Sequence, residues 1–165
     1  MSSEDNNRLT LFIDGASSGN PGPSGIGLII KRHTEDTTMK KESKFIGNAT
    51  NNIAEYQALL LGLREAEKLG CRELVINTDS QLLARQLNGY YKIKSPNLVS
   101  LYNEAKRLIS TFHRVVVNEV RREGNEEADK LAKLAIKEGI RAGQMVARQG
   151  LWREESPSSA GQGGC

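Results

Sequence analysis

The sequence predicts an α/β protein built on one mixed sheet of five strands with helices packed against it. Two observations carry that reading. Five short runs rich in branched and aromatic residues, which suit a sheet interior, are bounded by turn residues. Their order is the second: three runs follow one another as a meander, and two more alternate with segments of helical period, the pattern of a mixed sheet with helices on it.

Taken in order, Met1 to Asn7 is polar and reads as a disordered lead. Leu9 to Asp14 is the first strand, and the Gly/Ser/Asn/Pro loop after it cannot continue a strand, so Asp14 is expected where a buried strand surfaces. Gly25 to Arg32 and Met39 to Ile46 follow as strands joined by the polar turn Thr34 to Thr37. From Ile53 the apolar spacing becomes helical, with Ile53, Tyr56, Leu60 and Leu63 on one face and Gly70 as the stop. Glu73 to Thr78 is a short strand halted at Asp79. A helix over Gln81 to Leu87 ends at Asn88-Gly89, and the basic-aromatic link Tyr90 to Lys94 leads to a helix opened by Ser95-Pro96. That helix turns Leu98, Leu101, Tyr102, Ala105 and Leu108 inward. Val115 to Val120 is the last strand. Asn125 caps a final helix with Ala128, Leu131, Ala132 and Ala135 inward, ending at Gly139. Ile140 to Cys165 loses periodicity and ends SPSSAGQGGC, a mostly flexible tail.

Composition narrows the function. With 165 residues and 38% hydrophobic content the chain suits one domain with a real core, and no apolar run is long enough for a membrane span. Met1 to Arg8 has no apolar core of a secretory leader. Cys71 and Cys165 have neither disulfide-framework nor zinc spacing, which points to a reducing cytoplasm. The net charge of +3 permits a polyanionic partner without demonstrating one.

Four carboxylates each have an ordinary explanation. Asp14 begins an Asp-Gly turn, Asp79 stands at an N-cap position, Asn52-x-x-Glu55 resembles a capping box, and Asp129 complements a helix dipole. Together they are less ordinary. Parallel neighbouring strands would put Asp14 and Asp79 side by side at the carboxyl edge of the sheet, where open α/β sheets bind ligands, and helix starts carrying Glu55 and Asp129 can converge there. Two such charges about 5 Å apart repel by roughly 3 kcal/mol at an effective dielectric near 20. A divalent cation removes that penalty. Hard oxygen donors without clustered His or Cys favour magnesium over zinc, and four carboxylates suggest two ions, the usual device for in-line attack on a phosphodiester.

Four blocks now stand in order: Asp14-Gly15-Ala16-Ser17-Ser18-Gly19-Asn20-Pro21-Gly22-Pro23, Thr50-Asn51-Asn52-x-x-Glu55, Thr78-Asp79-Ser80-Gln81 and Asn125-Glu126-x-Ala128-Asp129. In order and spacing they resemble the signature blocks of type 1 ribonuclease H, over about Leu9 to Glu138. The resemblance implies a ribonuclease H-like fold, a five-stranded mixed sheet with helices on both faces, in a domain spanning residues 8–139. It implies endonucleolytic cleavage of the RNA strand of an RNA/DNA hybrid, leaving 5′-phosphate and 3′-hydroxyl ends. Asp14, Glu55, Asp79 and Asp129 match the catalytic, metal-binding carboxylates for two Mg²⁺ ions, with Mn²⁺ able to substitute. Gly15, Ser17, Asn20, Thr50, Asn51, Asn52, Ser80 and Gln81 match nucleic-acid-contacting positions. Short amides and the backbone of a Gly-rich loop can read 2′-hydroxyls in a shallow groove, and contacts without base readout suit sequence-independent cleavage.

Two departures stand out. Many family members carry a long basic helix-loop after the second helix; here Asn88 to Asn97 is short, leaving Lys92, Lys94 and nearby bases to grip the duplex. The loop before the last carboxylate often holds a His that assists product release; here it is Arg121-Arg122-Glu123-Gly124, so Arg122 or Glu123 is expected in that role. His33 and His113 lie elsewhere and read as surface residues. A monomer with no membrane association is expected. The rival readings are a catalytically silent duplex-binding module and another nuclease on the same fold, such as a resolvase or exonuclease.

Overall fold

The computed structural model describes residues 7–163, with side chains through Arg148. The expected lead lies outside the described residues except for Asn7, and so do Cys165 and the side chains of the SPSSAGQGGC end. The strands are β1 (Arg8–Ser17), β2 (Gly22–Arg32), β3 (Thr38–Ala49), β4 (Glu73–Thr78) and β5 (Arg114–Glu119). The helices are α1 (Asn51–Lys68), α2 (Gln81–Leu87), α3 (Pro96–Ile109) and α4 (Glu126–Gly163). The sheet order is β3-β2-β1-β4-β5, so the first strand in sequence is central. It pairs antiparallel with β2 and parallel with β4, which pairs parallel with β5.

The alternation of side chains along β2 shows how the faces are covered. Ile26, Leu28 and Ile30 join Leu9, Leu11 and Ile13 of β1 in the core beneath α1. The intervening Gly25 and Gly27 point the other way, since successive strand residues face opposite sides. A Cβ on Gly27 would overlap the Ala128 carbonyl oxygen of α4, and one on Gly25 would meet Ala132 and Ala135. Thus α1 and α4 lie on opposite faces, α4 seated on glycines through its alanine face. On the first face α3 packs against α1 through Leu98, Ala105 and Leu108. Each fully buried Leu or Ile contributes about 1.5–3 kcal/mol relative to exposure.

Three boundaries differ from the sequence reading. The first strand does not stop at Asp14: it runs to Ser17 because Gly15, Ala16 and Ser17 pair with Ile26, Gly25 and Ser24. Cross-strand pairing overrides the turn preference of that Gly/Ser stretch, and β2 correspondingly begins at Gly22. The third strand continues past Ile46 to Ala49. Finally, α4 passes through Gly139 instead of ending there. That glycine is a seat for a side chain, because a Cβ on it would overlap the Phe45 ring. Residues 141–148 continue the helix with every side chain exposed.

Candidate active site

Register alone brings two aspartates together. Parallel pairing of β1 with β4 ends at Ile13 and Thr78, and the next residue after each is an aspartate, Asp14 or Asp79. Because β1 continues, Asp14 sits within a strand, only 5% exposed, and not at the surfacing end expected from sequence.

The ordinary explanations of the acids can now be checked against the helix caps. Thr50, not Asn52, is the N-cap of α1, its Oγ1 accepting from the Ile53 N–H at 3.2 Å. Glu55 therefore stands a turn inside the helix and caps nothing. Its Oε1 accepts from the Gly15 N–H at 3.0 Å, whereas its Oε2 is buried without a partner. That contact requires glycine at 15, since a Cβ there would overlap the backbone of Ala54 and Glu55. Similarly, Ser80 is the N-cap of α2, accepting from the Leu83 N–H at 3.2 Å, and Asp79 is left free of that duty. Asp129 does lie in the first turn of α4, where its charge complements the helix dipole. Lys133 holds its Oδ2 at 3.0 Å.

Oxygens of Asp14, Glu55 and Asp79 lie within 4.8 Å of one another. Asp129 falls outside that trio, although its charge acts on Asp14. Burial, the largest cause, pushes the Asp14 carboxyl up to about 7, and the charges of Asp79 and Asp129 add to the rise. Burial, followed by the adjacent Asp14 charge, also holds Glu55 well above the ordinary carboxylate range. Such a nest of oxygen donors, with one buried carboxylate oxygen lacking any partner, fits a hard divalent cation.

The cluster opens into a cleft of about 870 Å³ lined by Asp14, Gly15, Asn51, Asp79, Ser80 and Asp129, with Arg121, Arg122 and Glu123 along another wall. The other expected nucleic-acid positions divide. Ser17, Asn20 and Asn51 interlock: the Ser17 N–H donates to Asn51 Oδ1 at 2.9 Å, and the Asn51 N–H donates to Asn20 Oδ1 at 3.1 Å. Thr50 is spent on its capping bond. Gln81 is exposed beside the cleft. Asn52 instead borders a second groove with Tyr90, Tyr91, Lys92 and Lys94. The histidines lie elsewhere: both are exposed, and His33 Nδ1 is 2.9 Å from Thr10 Oγ1.

Three participants were not expected from sequence. Lys133 borders the cleft through its pair with Asp129. Glu119 at the end of β5 also lines it and pairs with Arg85 at 3.4 Å, whose guanidinium stacks on Tyr91. Asn125, read as a helix cap, instead sends its side-chain N–H across 112 residues to the Ile13 carbonyl at 2.8 Å. Nothing in its spacing signals that reach.

Comparison with known proteins agrees with this arrangement. The family model described as reverse transcriptase-like matches residues 12–135. The bifunctional protein Rv2228c of Mycobacterium tuberculosis is 37% identical over 155 residues, covering 93% of this chain. The chain spans only 43% of that relative's length. Among solved structures, RNase H1 from Halobacterium salinarum is 35% identical with a TM-score of 0.77, over 79% of this chain and 98% of that one. LC11-RNase H1 in complex with an RNA/DNA hybrid is 33% identical with a TM-score of 0.76, over 80% and 99%. The chain belongs to the reverse transcriptase-like family and, within it, to type 1 ribonuclease H. No helix among the described residues is long and apolar enough to cross a membrane.

Proposed function

We propose that this chain is a divalent-metal-dependent endoribonuclease that cuts the RNA strand of RNA/DNA hybrids, leaving 5′-phosphate and 3′-hydroxyl ends. The observation that carries the reading is the trio of Asp14, Glu55 and Asp79 at the carboxyl edge, with Glu55 Oε2 buried and unpartnered. Family membership and a similar structure holding a hybrid support it. Asp14, Glu55 and Asp79, with Asp129 beside them, would hold the metal. Two Mg²⁺ ions, with Mn²⁺ able to substitute, would neutralise the phosphate and lower the pKa of an attacking water.

The chain's own residues do the rest. Gly15 N–H orients Glu55 and keeps one of its oxygens free. Lys133 holds Asp129 at the rim, in place to receive the scissile phosphate's charge. The interlocked Ser17, Asn20 and Asn51 fix a polar ledge beside Asp14, suited to 2′-hydroxyls, with Ser80 on the same cleft, Gln81 exposed next to Ser80, Thr50 capping α1 and Asn52 on the neighbouring groove. Arg122 and Glu123 face the same cleft and serve product departure. The enzyme acts as a cytoplasmic monomer; the free, buried Cys71 suits a reducing compartment. The catalytic domain is residues 8–139.

The test is cleavage of labelled RNA/DNA hybrid with Mg²⁺, with EDTA, and by Asp14→Asn, alongside junction and single-stranded DNA substrates. Hybrid cutting that EDTA or the substitution abolishes, while Asp14→Asn still folds and binds hybrid, is the expected result. Appreciable Mg²⁺-dependent cleavage by purified Asp14→Asn would sink the assignment, and preference for junctions or single strands would replace the substrate.

A further inference from the structure

Past its acidic first turn, which carries Glu126, Glu127 and Asp129, the outer face of α4 carries charge of one sign. Lys130, Lys133, Lys137, Arg141 and Arg148 are all exposed, and residues 130–148 contain a single acid, Glu138. At 3.6 residues per turn, the five bases fall within a sector of about 80°, with Glu138 beyond its edge. The buried Ala128, Ala132 and Ala135 are diametrically opposite, so the bases point away from the sheet. Lys133 pairs with Asp129, but among the described residues none of Lys130, Lys137, Arg141 and Arg148 has an ion-pair partner. The ordinary solvated face of a helix mixes signs and forms pairs four residues apart. From Lys130 onward this one does not mix signs, and beyond Lys133 it forms no such pair among the described residues.

The stripe is continuous with the catalytic cleft, because Lys133 belongs to both. From Lys130 to Arg148 it extends about 27 Å, the axial length of roughly eight base pairs. Lys137, Arg141 and Arg148 lie on the part leading away from the cleft. The segment contains no aromatic side chain, whereas single-strand binding surfaces combine positive charge with stacking platforms. Nor do the exposed Leu134, Ile140, Met145 and Val146 form one apolar face, as a helix laid on a lipid surface would require: Leu134 and Met145 share a side but stand about three turns apart, and Ile140 and Val146 point elsewhere. A straight row of bases without stacking groups or an apolar side suits the phosphates of a duplex.

We propose that the outer face of α4 is a second nucleic-acid contact, binding the backbone of the duplex that flanks the hybrid segment in the cleft. The proposal rests on the hybrid-cleaving reading of the site, and it supplies a grip in a chain whose link between α2 and α3 is short. It makes a length-dependent contribution: a short hybrid occupies the cleft alone, and a long one also lies along the helix.

The experiment compares the full chain with the triple substitution Lys137→Gln, Arg141→Gln, Arg148→Gln. Glutamine keeps helix propensity, and none of the three residues touches the cleft. Binding of labelled hybrids is measured in EDTA across a salt series, for a duplex that only fills the cleft and for one longer by a helical turn or more. The substitution should weaken long-hybrid binding about tenfold or more at low salt and flatten its log–log salt slope by about 2–3. Short-hybrid affinity and Mg²⁺-dependent cleavage of the short hybrid should stay unchanged. Equal loss on both lengths, no loss on the long one, or loss only on single-stranded extensions would overturn the proposal, as would failure of the wild type to bind hybrid at all. Wild-type binding without cleavage would instead refute the catalytic reading and leave the stripe standing.

Discussion

The side-chain amide of Asn125 donates to the carbonyl of Ile13 at 2.8 Å, tying the start of α4 to the central strand one residue before Asp14. The bond is buried, and it fixes the helix that carries Asp129 relative to the strand that carries Asp14. Replacing Asn125 by Ala leaves the Ile13 carbonyl without this partner and should cost about 1–3 kcal/mol. Because the cluster also loses its alignment, the Mg²⁺ concentration giving half-maximal hybrid cleavage should rise. Leu108→Ala, a destabilised control remote from the acids, should leave that concentration unchanged. If both variants behave alike in the Mg²⁺ titration, the bond supports only the fold.

Without metal the acidic trio should strain the folded state. The Asp14 carboxyl, pushed to about 7 chiefly by burial and further by Asp79, binds its proton more tightly folded than unfolded. The native state therefore holds more protons between the ordinary carboxylate range and about 7. Stability of the metal-free protein should fall as pH climbs through that window and level off above it. Since Ser80 and not Asp79 caps α2, Asp79→Asn removes repulsion without removing a cap. That variant should be about 1–3 kcal/mol more stable than wild type in EDTA at neutral pH. Millimolar Mg²⁺ should stabilise wild type by linkage and the variant less. Thermal unfolding of both proteins in both conditions decides it, and a variant less stable in EDTA would mean that favourable contacts of the Asp79 carboxylate outweigh the repulsion.

Arg122 lies in a single 3-10 turn, Arg122–Gly124, on the wall of the cleft. If this turn assists product departure, Arg122→Ala should lower kcat at saturating substrate more than it weakens hybrid binding. Weakened binding with kcat intact would make Arg122 a phosphate contact.

Gly27 holds α4 against the sheet, since any side chain there would meet the Ala128 carbonyl and Leu131. Gly27→Ala should destabilise the protein by about 1–3 kcal/mol through overpacking. Gly143→Ala, where the added methyl meets nothing, is the matched control and should not destabilise. Urea unfolding of the two variants separates a seat for the helix from a general cost of losing glycine.

Five strands, the order of meander and crossovers, and the inward faces of α1 and α3 were legible in the amino-acid pattern alone. Apolar runs bounded by turn residues, such as Gly25 to Arg32, and helical spacing in Tyr56, Leu60 and Leu63 are local signals that burial enforces directly. The acids were legible as a set. Which of them were free for chemistry was not, because an N-cap and a metal ligand call for the same residue types. Packing assigned the caps: Thr50 and Ser80 take them, and Gly15 lets α1 approach β1 closely enough for its N–H to hold Glu55. The extension of β1 to Ser17 and the passage of α4 through Gly139 were hidden for a related reason. Glycine and serine read as breakers in isolation, but a paired strand or a ring resting where a Cβ would be can require them inside an element. Asn125 was beyond local reading altogether, because its partner lies 112 residues away and only the packed sheet brings Ile13 within reach of its amide.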